Sequence, residues 1–559
     1  MKYTLLMTLL APALLAGCNL EKKEEPFQAR HIRAGYDAGQ VCQQLRQGWQ
    51  EDGIAIPASQ VSCHYLTVPL DYDKEWVQIK ETKWEKRSAA RADSSLFADN
   101  SPRFSSWSDK PVRPHVKQET RTVKGDTLDI FYLHYRASGD YRGTLFYNPG
   151  GPTSATPDLG ILLDMLRSAN PAILEHYDIV TLDPRGAGYS ALGHELRSCL
   201  LTDKQGVRPD MSPAQLAQLF ASRDKGALPA LQSGADQGKA FSTTLLARCD
   251  EPLRLHAPHL GSRAVVEDME RLRQHLGRER ITPITFSYGT RLAALYAARY
   301  PSHVANLVVD SPMSPAESRY PAIFRGDAEN ANRILAWRFG DQALQRSMAV
   351  TRQVRDDGRY VDNQGNVLDR ASWVAVLGDA ISGSQRDDQL AFWQQDDAGP
   401  LLARLAGQDD DNPYQELQEM PFFSAIHCTD NSEPYNWQTL DPEDAAFQGA
   451  GALLLDKSFN TCADWPYPRQ PIASYGAGEI KLPDDARALV LGAEYDPNTP
   501  FAGARQMQAA FGSAARLVQV EQSNQHGQLN SSRCAQAALS TLLLGDAASL
   551  PAEQRCLAD

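Results

Sequence analysis

The sequence predicts an α/β fold: a doubly wound, mostly parallel sheet interrupted by a large, mainly helical insertion. After residue 140 the chain alternates between short apolar runs, turns and helical patterns, which is typical of this fold class. The apolar runs are almost continuous stretches of β-branched and aliphatic residues, as expected of parallel strands buried on both faces. Between about 315 and 485 this alternation stops and the chain becomes polar, with helical patterns and little strand character.

The strand pattern places most of the sheet after residue 140. Two earlier alternating runs, Val61–Val68 and Leu128–Tyr135, are also predicted strands. We interpret the polar stretch 73–127, most of which lies between them, as a surface excursion, with a partner-binding arm as the alternative. The later predicted strands are Thr144–Asn148, Asp178–Leu182, Ile281–Phe286, Asn306–Asp310, Ala488–Gly492 and Leu517–Glu521.

Helical spacing between these strands completes the predicted architecture. Arg263–Leu276 and Thr290–Tyr300 are predicted helices of the sheet region, and Ala328–Trp337 is one of the insertion. The insertion is expected to form a cap over the carboxyl edge of the sheet. The predicted segments are 1–17 (signal peptide), 18–40 (tether), 41–314 (first part of the core), 315–485 (cap) and 486–559 (second part of the core).

Composition narrows the class of protein. The 559 residues are 42% hydrophobic and 22% charged, with 38 Gly and 34 Pro, which excludes collagen, a coiled coil and intrinsic disorder. Lys and Arg total 56 against 69 Asp and Glu, giving a formal net charge of −13. A nucleic-acid-binding protein normally carries a basic excess, so we expect no nucleic-acid partner. The absence of a long apolar run after residue 17 argues against a polytopic membrane protein.

The first eighteen residues predict export. Lys2 is followed by an apolar stretch, Leu5–Leu15, that is too short to span a bilayer. It ends in Leu15-Ala16-Gly17-Cys18, which resembles the lipobox of bacterial lipoproteins. The resemblance implies that Cys18 is diacylated, becomes the new N-terminus and anchors the chain to a membrane. Asn19 at the next position favours the outer membrane, and the alternative is a plain secretory signal with a chance cysteine.

The other eight cysteines predict disulfide bonds, because an exported protein enters an oxidising compartment. No Cys-x-x-Cys pair occurs and no Cys/His spacing is typical of zinc, so we expect no metal site. Some free buried thiols are the alternative to full pairing. The cysteines fall into neighbouring pairs, which predicts Cys42–Cys63, Cys199–Cys249, Cys428–Cys462 and Cys534–Cys556.

Three positions along the chain have the order of a nucleophile, an acid and a histidine. Ser287 lies between a predicted strand and an Ala-rich helix, where a strained turn would expose its hydroxyl. Asp496 follows a later strand, and His526 follows the strand after that. The chain order Ser, Asp, His is that of α/β-hydrolase triads. Consecutive glycines at Gly150 and Gly151, after another core strand, would let backbone N–H groups approach an oxyanion.

Several motifs together resemble the tripeptidyl aminopeptidase branch of proline-iminopeptidase-like α/β-hydrolases, over roughly residues 40–559. The resemblance implies that Ser287 is the nucleophile, with Asp496 and His526 as its partners. It also implies an oxyanion hole formed by the N–H groups of Gly151 and Tyr288, a peptide substrate and no cofactor. The sequence departs from the family at Thr153 and Thr285, where glycines are usual. The motifs are Pro149-Gly150-Gly151-Pro152, Asp183-Pro184-Arg185-Gly186, Ser287-Tyr288-Gly289-Thr290, Val68-Pro69-Leu70-Asp71-Tyr72, Cys428-Thr429-Asp430 and Asp496-Pro497 with Thr499-Pro500.

Three functions are compatible with these sequence features. The first is an exported serine aminopeptidase that releases short N-terminal pieces; the second is a serine esterase or other acyl hydrolase on the same triad. The third is a non-catalytic surface lipoprotein. An aminopeptidase must bind a free ammonium group, and burying that cation without a partner is costly, so carboxylates are expected in the cap. The candidates are Asp430, Glu433 and Glu329.

Overall fold

The computed structural model describes two compact units of the chain. The larger unit comprises His31–Asp73 and Asp126–Asp559, and the smaller one contains Lys74–Gly125. The predicted signal peptide, Cys18 and Glu433 lie outside the described residues. These residues are 29–54, 56–85, 115–199, 245–383, 387–406, 413–432, 441, 443–453, 462 and 465–559.

A ten-stranded sheet forms the centre of the larger unit, in the order β1-β5-β7-β6-β8-β9-β12-β13-β14, with β2 paired to β5. From β7 to β14 all neighbouring strands are parallel, whereas β5 runs antiparallel to β2 and β7. The strands are β1 (His31–Ile32), β2 (Val61–Pro69), β5 (Thr127–Tyr135), β6 (Gly143–Asn148), β7 (Tyr177–Leu182), β8 (Thr282–Phe286), β9 (Leu307–Asp310), β12 (Ala488–Ala493), β13 (Ala515–Glu521) and β14 (Glu553–Leu557).

Helices cover both faces of this sheet, which confirms the predicted fold class. Alternate residues of β12 enter opposite cores: Val490 packs into one, and Leu489 and Leu491 into the other. The described helices of the sheet region are α1 (Ala38–Glu51), α2 (Leu159–Ala169), α3 (Ala172–His176), α4 (Gly193–Ser198), α5 (Ser262–His275), α6 (Gly289–Arg299), α13 (Phe501–Phe511) and α14 (Arg533–Leu544).

The chain between β9 and β12 is helical in most of its described part. Its core is built around Trp373, Phe392 and Trp393. No helix among the described residues is both long and apolar enough to cross a membrane. The elements are α7 (Tyr320–Phe339), α8 (Asp341–Asp357), the hairpin β10 (Arg359–Val361) and β11 (Val367–Asp369), α9 (Arg370–Ser382), α10 (Asp387–Gln395), α11 (Gly399–Ala406) and α12 (Pro413–Asp430).

The strand order creates a crevice at the carboxyl edge of the sheet. The chain passes from β6 to β7 on one side, and β8 lies on the other side of β6. Such a change of direction opens a space between the loops that leave the two neighbouring strands, and ligands of open α/β sheets bind there. The loops after β6 and β8 carry Gly151 and Ser287.

The smaller unit contains an antiparallel hairpin that the sequence did not predict. Strands β3 (Trp76–Glu85) and β4 (His115–Lys124) pair over ten residues each, within the stretch interpreted as an excursion. Alternation of apolar and polar residues is the usual signal of a strand. These two strands consist mainly of Lys, Glu, Gln and Thr, so that signal is weak.

Four disulfide bonds tie loops and helix ends to their neighbours. They join the pairs expected from sequence order: Cys42–Cys63, Cys199–Cys249, Cys428–Cys462 and Cys534–Cys556. The third bond joins the last turn of α12 to the loop that precedes β12.

Candidate active site

Ser287 occupies a strained turn between β8 and α6. Its φ is 51°, a left-handed conformation that a non-glycine residue rarely adopts. The turn is held by hydrogen bonds: the Ser287 N–H donates to the Asp310 carbonyl at 3.1 Å, and the Thr290 hydroxyl donates to the Ser287 carbonyl at 2.6 Å. This geometry corresponds to the nucleophile elbow that the sequence predicted.

The glycine loop after β6 passes directly over this turn. A Cβ atom on Gly150 would lie 2.7 Å from the Phe286 carbonyl oxygen and 2.9 Å from the Ser287 Cβ, so only glycine fits there. The Asn148 side chain accepts the Gly150 N–H at 3.0 Å. Among the described residues, nothing accepts a hydrogen bond from the N–H of Gly151 or Tyr288. These two donors are therefore free to bind an oxyanion beside Ser287.

Asp183 holds the far end of the glycine loop. Its buried carboxylate accepts hydrogen bonds from the Ser154 hydroxyl at 2.8 Å and from the N–H groups of Ala155 and Thr156 at 2.9 and 3.0 Å. Burial raises the pKa of Asp183, and the hydrogen bonds from Tyr189, Ser154 and Thr156 oppose the rise. The acid of the Asp183-Pro184-Arg185-Gly186 motif thus fixes the loop that carries Gly151.

Arg185 of the same motif is a structural residue. Its guanidinium forms a fully buried ion pair with Asp268 and donates to the Leu70 carbonyl at 2.8 Å. The motif therefore joins the glycine loop, β2 and α5.

The acid and the histidine of the predicted triad are in contact. The His526 Nδ1 lies 3.0 and 2.9 Å from the two carboxylate oxygens of Asp496. The N–H of Thr499 donates to Asp496 Oδ1 at 3.0 Å, and the Thr499 hydroxyl donates to Oδ2 at the same distance. A carboxylate so placed orients the imidazole and keeps its proton on Nδ1, which leaves Nε2 to act as a base.

The electrostatic surroundings favour protonation of His526. Burial acts to lower its pKa, but the carboxylates of Asp496 and Asp310 outweigh that effect, and the net pKa is raised. An imidazolium formed during reaction is therefore stabilised by two negative neighbours.

Asp310, at the end of β9, is a functional residue that sequence reasoning missed. Its carboxylate accepts the N–H groups of Gln528 at 2.8 Å and Leu529 at 2.9 Å, just beyond His526. Its carbonyl accepts the Ser287 N–H. Burial is the main cause that raises the pKa of Asp310, to about 6. The available signal was an acid at the end of a buried strand, in the same topological position as Ser287 and Asp496.

Asp310 thus connects the nucleophile turn to the histidine loop. In this structure the Ser287 hydroxyl and His526 Nε2 do not form a hydrogen bond. In substrate-free enzymes this bond is often long and shortens only in the Michaelis complex.

Two of the predicted amine-binding acids, Asp430 and Glu329, lie within the described residues. Asp430 is 3% exposed and accepts hydrogen bonds from the backbone N–H and the hydroxyl of Ser262, at 2.8 and 2.5 Å. The Ser262 hydroxyl also lies 2.5 Å from the Tyr288 hydroxyl. The Asp430 carboxylate is therefore engaged inside the core, where it contacts Tyr288, the residue after Ser287, through the Ser262 hydroxyl.

Glu329 lies on the exposed side of its helix. Its side chain is 53% exposed and pairs with Arg325 on the same helix. A solvated carboxylate with a cation beside it has little to gain from a substrate ammonium.

Asp327, two residues earlier on α7, is the cap acid that lies near the triad. The Asn330 amide on the same helix face donates to the Asp496 carbonyl at 2.7 Å, which docks α7 on the acid loop. Among the described residues, none donates a hydrogen bond to Asp327. Burial, with the Asp496 charge second, raises the pKa of Asp327 to about 7.

A pocket of about 200 Å³ lies beside His526. It is bounded by the loop after β6, the first turns of α2 and the end of β8. The side chains that matter for its chemistry are Tyr147, Asp158, Ile161, Met165, Phe286 and His526.

Comparison with known proteins places these features in a family. Residues 143–531 match the family described as the alpha/beta hydrolase fold. The chain is 25% identical over 428 residues to a tripeptidyl aminopeptidase of Streptomyces coelicolor, covering 69% of this chain and 71% of the relative. It is 24% identical to the serine protease Hip1 of Mycobacterium tuberculosis, covering 67% and 74%. It is 26% identical to a carboxylesterase B of the same organism, covering 77% and 83%.

Among solved structures, a proline iminopeptidase from Mycobacterium smegmatis is similar at 12% identity and a TM-score of 0.37. The match covers 76% of this chain and 97% of that one.

Proposed function

The chain belongs to the α/β-hydrolase fold family, and on that premise we propose that it is an exported serine aminopeptidase that releases short N-terminal pieces from peptides. The observation that carries the proposal is the Asp496–His526 pair, joined through Asp310 to the Ser287 turn. Relatives named tripeptidyl aminopeptidase and serine protease support a peptide as the substrate.

The geometry supports acyl transfer through Ser287. His526 Nε2 removes the hydroxyl proton while Ser287 Oγ attacks the carbonyl carbon of the peptide bond. The N–H groups of Gly151 and Tyr288 bind the oxygen that becomes negative. His526 then returns the proton to the amine as the C–N bond breaks, leaving an acyl-enzyme. Water, deprotonated by His526, hydrolyses the ester and restores Ser287.

Uncompensated acids near the triad support a substrate with a positive group. Asp327 in the cap and Asp158 in the pocket both have raised pKa values, for which burial is the main cause. Neither carboxylate has a described hydrogen-bond donor or cation. Partly buried carboxylates without partners are costly, and a free N-terminal ammonium would offset that cost.

An esterase is the second candidate, because the carboxylesterase relative covers more of this chain than either peptidase. The same triad hydrolyses esters and amides, so the fold does not decide between them.

A panel of chromogenic substrates separates the two functions. Peptide anilides with a free N-terminus, the same peptides N-acetylated, and simple acyl esters are compared by kcat/KM. We expect acetylation to lower kcat/KM by ~10²-fold or more, since one partner of a desolvated charge pair is lost. Equal cleavage of free and acetylated peptides would reject the aminopeptidase.

A fluorophosphonate probe tests the nucleophile in the same preparation. Ser287→Ala is expected to lose labelling and turnover together, with a rate loss of ~10⁴–10⁶-fold. Ser190, which is buried and bonded to the Asp183 carbonyl, provides a structural serine that the probe should not label.

A further inference from the structure

The pocket beside His526 has one charged wall that the catalytic mechanism does not use. Its volume of about 200 Å³ is below the ~300–1,000 Å³ of sites for drug-sized ligands, so it suits one side chain or one terminal residue. Phe286, Ile161 and Met165 supply apolar surface, and His526 forms part of the wall. An occupant of this pocket therefore lies against the catalytic imidazole.

Asp158 supplies the charge. It immediately precedes α2, where an aspartate usually caps the helix by accepting a backbone N–H. Here the side chain makes no capping hydrogen bond. Among the described residues, none donates a hydrogen bond to its carboxylate, and no Lys or Arg pairs with it.

The surroundings of Asp158 are short of positive charge. Burial, followed by the charge of Asp183, raises the pKa of Asp158. The neighbouring Tyr147 is 3% exposed, and no hydrogen-bond partner for its hydroxyl exists among the described residues. Asp183, Asp310 and Asp496 each accept several hydrogen bonds, whereas Asp158 keeps its full accepting capacity.

We propose that this pocket is a substrate subsite for a cationic group, an alkylammonium or a guanidinium, and that Asp158 is its counter-charge. The inference deepens the proposed function and rests on it for the substrate class. A peptide offers two sources of such a group: the N-terminal ammonium and the side chain of Lys or Arg. The apolar residues Ile161 and Met165 lie on the same face of α2 as Asp158 and would cover the aliphatic part of either.

Asp158 acts on binding and not on the triad. The carboxylates that raise the pKa of His526 are those of Asp496 and Asp310. Neutralising Asp158 is therefore expected to leave the acid limb of the kcat/KM profile of a neutral substrate unchanged.

The test compares Asp158→Asn with the wild type on four matched peptide anilides. These combine a free or acetylated N-terminus with Lys or the uncharged norleucine at the residue before the scissile bond. We expect Asp158→Asn to lower kcat/KM by ~10- to 100-fold, chiefly through KM, only where the recognised cation is present. Asp158→Glu should recover part of the loss. Dependence on the free N-terminus identifies the ammonium as the source, and dependence on Lys identifies the side chain.

A control variant and a neutral probe complete the experiment. Asp164 lies on the same helix, but it is half exposed and pairs with Arg167, so Asp164→Asn should match the wild type. Labelling of Ser287 by an uncharged fluorophosphonate at the wild-type rate shows that Asp158→Asn is folded with an intact triad. Loss of that labelling in Asp158→Asn would assign the residue a structural role and overturn the subsite.

The outcomes separate this proposal from the proposed function. If the wild type requires a free N-terminus but Asp158→Asn loses cationic and neutral substrates equally, or loses neither, the subsite is wrong and the aminopeptidase stands. If the wild type cleaves free and acetylated peptides equally, the aminopeptidase is wrong, and a Lys-dependent loss in Asp158→Asn would still support the subsite.

Discussion

Asp310 forms hydrogen bonds to two parts of the proposed triad, the turn that carries Ser287 and the loop that follows His526. Its carbonyl holds the Ser287 N–H and its carboxylate holds the N–H groups of Gln528 and Leu529. Because the nucleophile and the base lie on loops far apart in the chain, a shared anchor fixes the distance between them. A displacement of about 1 Å in such a site can lower the rate by ~10²-fold.

Asp310→Asn is expected to lower kcat/KM by ~10²-fold, because an amide nitrogen replaces one of the two accepting oxygens. The loss of its charge also removes one of the two carboxylates that raise the pKa of His526. The acid limb of the kcat/KM profile reports the free-enzyme pKa of the base, so it should move to lower pH.

Asp496→Asn is the comparison for that experiment. It also removes a carboxylate near His526, but it disturbs the tautomer as well, and should cost ~10⁴-fold. An acid limb that stays in place in Asp310→Asn would show that this carboxylate does not act on the base.

Asp327 predicts an unusual dependence of stability on pH. The folded-state pKa of about 7 is above the ordinary value of an aspartate, so the folded state binds more protons than the unfolded state between about pH 4 and 7. Stability therefore falls as pH rises through this window, and the cost is fully present above it.

Asp327→Asn replaces a carboxyl group that destabilises the folded state only when it is ionised. Its Tm should exceed that of the wild type at pH 8, and the difference should be much smaller at pH 5, as measured by calorimetry at both values. Glu329→Gln, two residues away on the exposed face, should show no such pH dependence. A larger gain at pH 5 than at pH 8 would contradict the raised pKa.

At the scale of elements, the sequence predicted the strands that are mostly buried, together with the half-exposed β2, and missed the exposed strands β10, β11 and β14. The run Ala488–Gly492 became β12 with one further residue, because every position of it enters a core. The β3–β4 hairpin consists mainly of Lys, Glu, Gln and Thr, and β14 has only alternate half-buried positions, so periodicity had little to detect.

The candidate site divides in a similar way. Ser287, Asp496 and His526 could be proposed because each follows a strand in a fixed chain order. The contact of Asp430 with Ser262 could not be predicted, because the two residues lie 168 positions apart and no local pattern encodes it. Asp158 and Asp327 could not be singled out, since what distinguishes them is the absence of a partner after folding.

The Cys428–Cys462 bond holds the last turn of helix α12, which ends at Asp430. The bond closes 34 positions of chain, which corresponds to ~3–4 kcal/mol in the loop-entropy description. Replacing both cysteines by alanine should lower the midpoint of chemical denaturation. It should also lower kcat, since Asp430 reaches Tyr288 through Ser262.

The Cys534–Cys556 bond is a matched control that joins α14 to the edge strand β14. Its removal should cost stability with little change in kcat. If both double variants lose stability but neither loses activity, the network around Asp430 does not position the nucleophile.

At the scale of the whole molecule, the core of the helical insertion packs against the loop that carries Asp496 at the edge of the sheet. On the insertion side, Trp337 stacks on Tyr495 at a ring distance of 4.2 Å, one residue before Asp496. Asn330 bonds the Asp496 carbonyl from the same helix. Asp496, the proposed catalytic acid, is thus held by contacts from the insertion as well as by its own loop at the sheet edge.

The N-terminal sequence predicts that the enzyme is exported and anchored to a membrane through Cys18. Replacing Cys18 tests this prediction. A diacylated cysteine supplies two chains, and two signals are what stable membrane anchoring requires. The wild type, expressed in a bacterial host, should incorporate labelled fatty acid and partition into the detergent phase. Cys18→Ala should remain unprocessed or become soluble while keeping its fluorophosphonate labelling at Ser287, because the anchor takes no part in the triad. A wild type that carries no fatty acid, yet is exported and active, would leave Leu15–Cys18 as an ordinary secretory cleavage site.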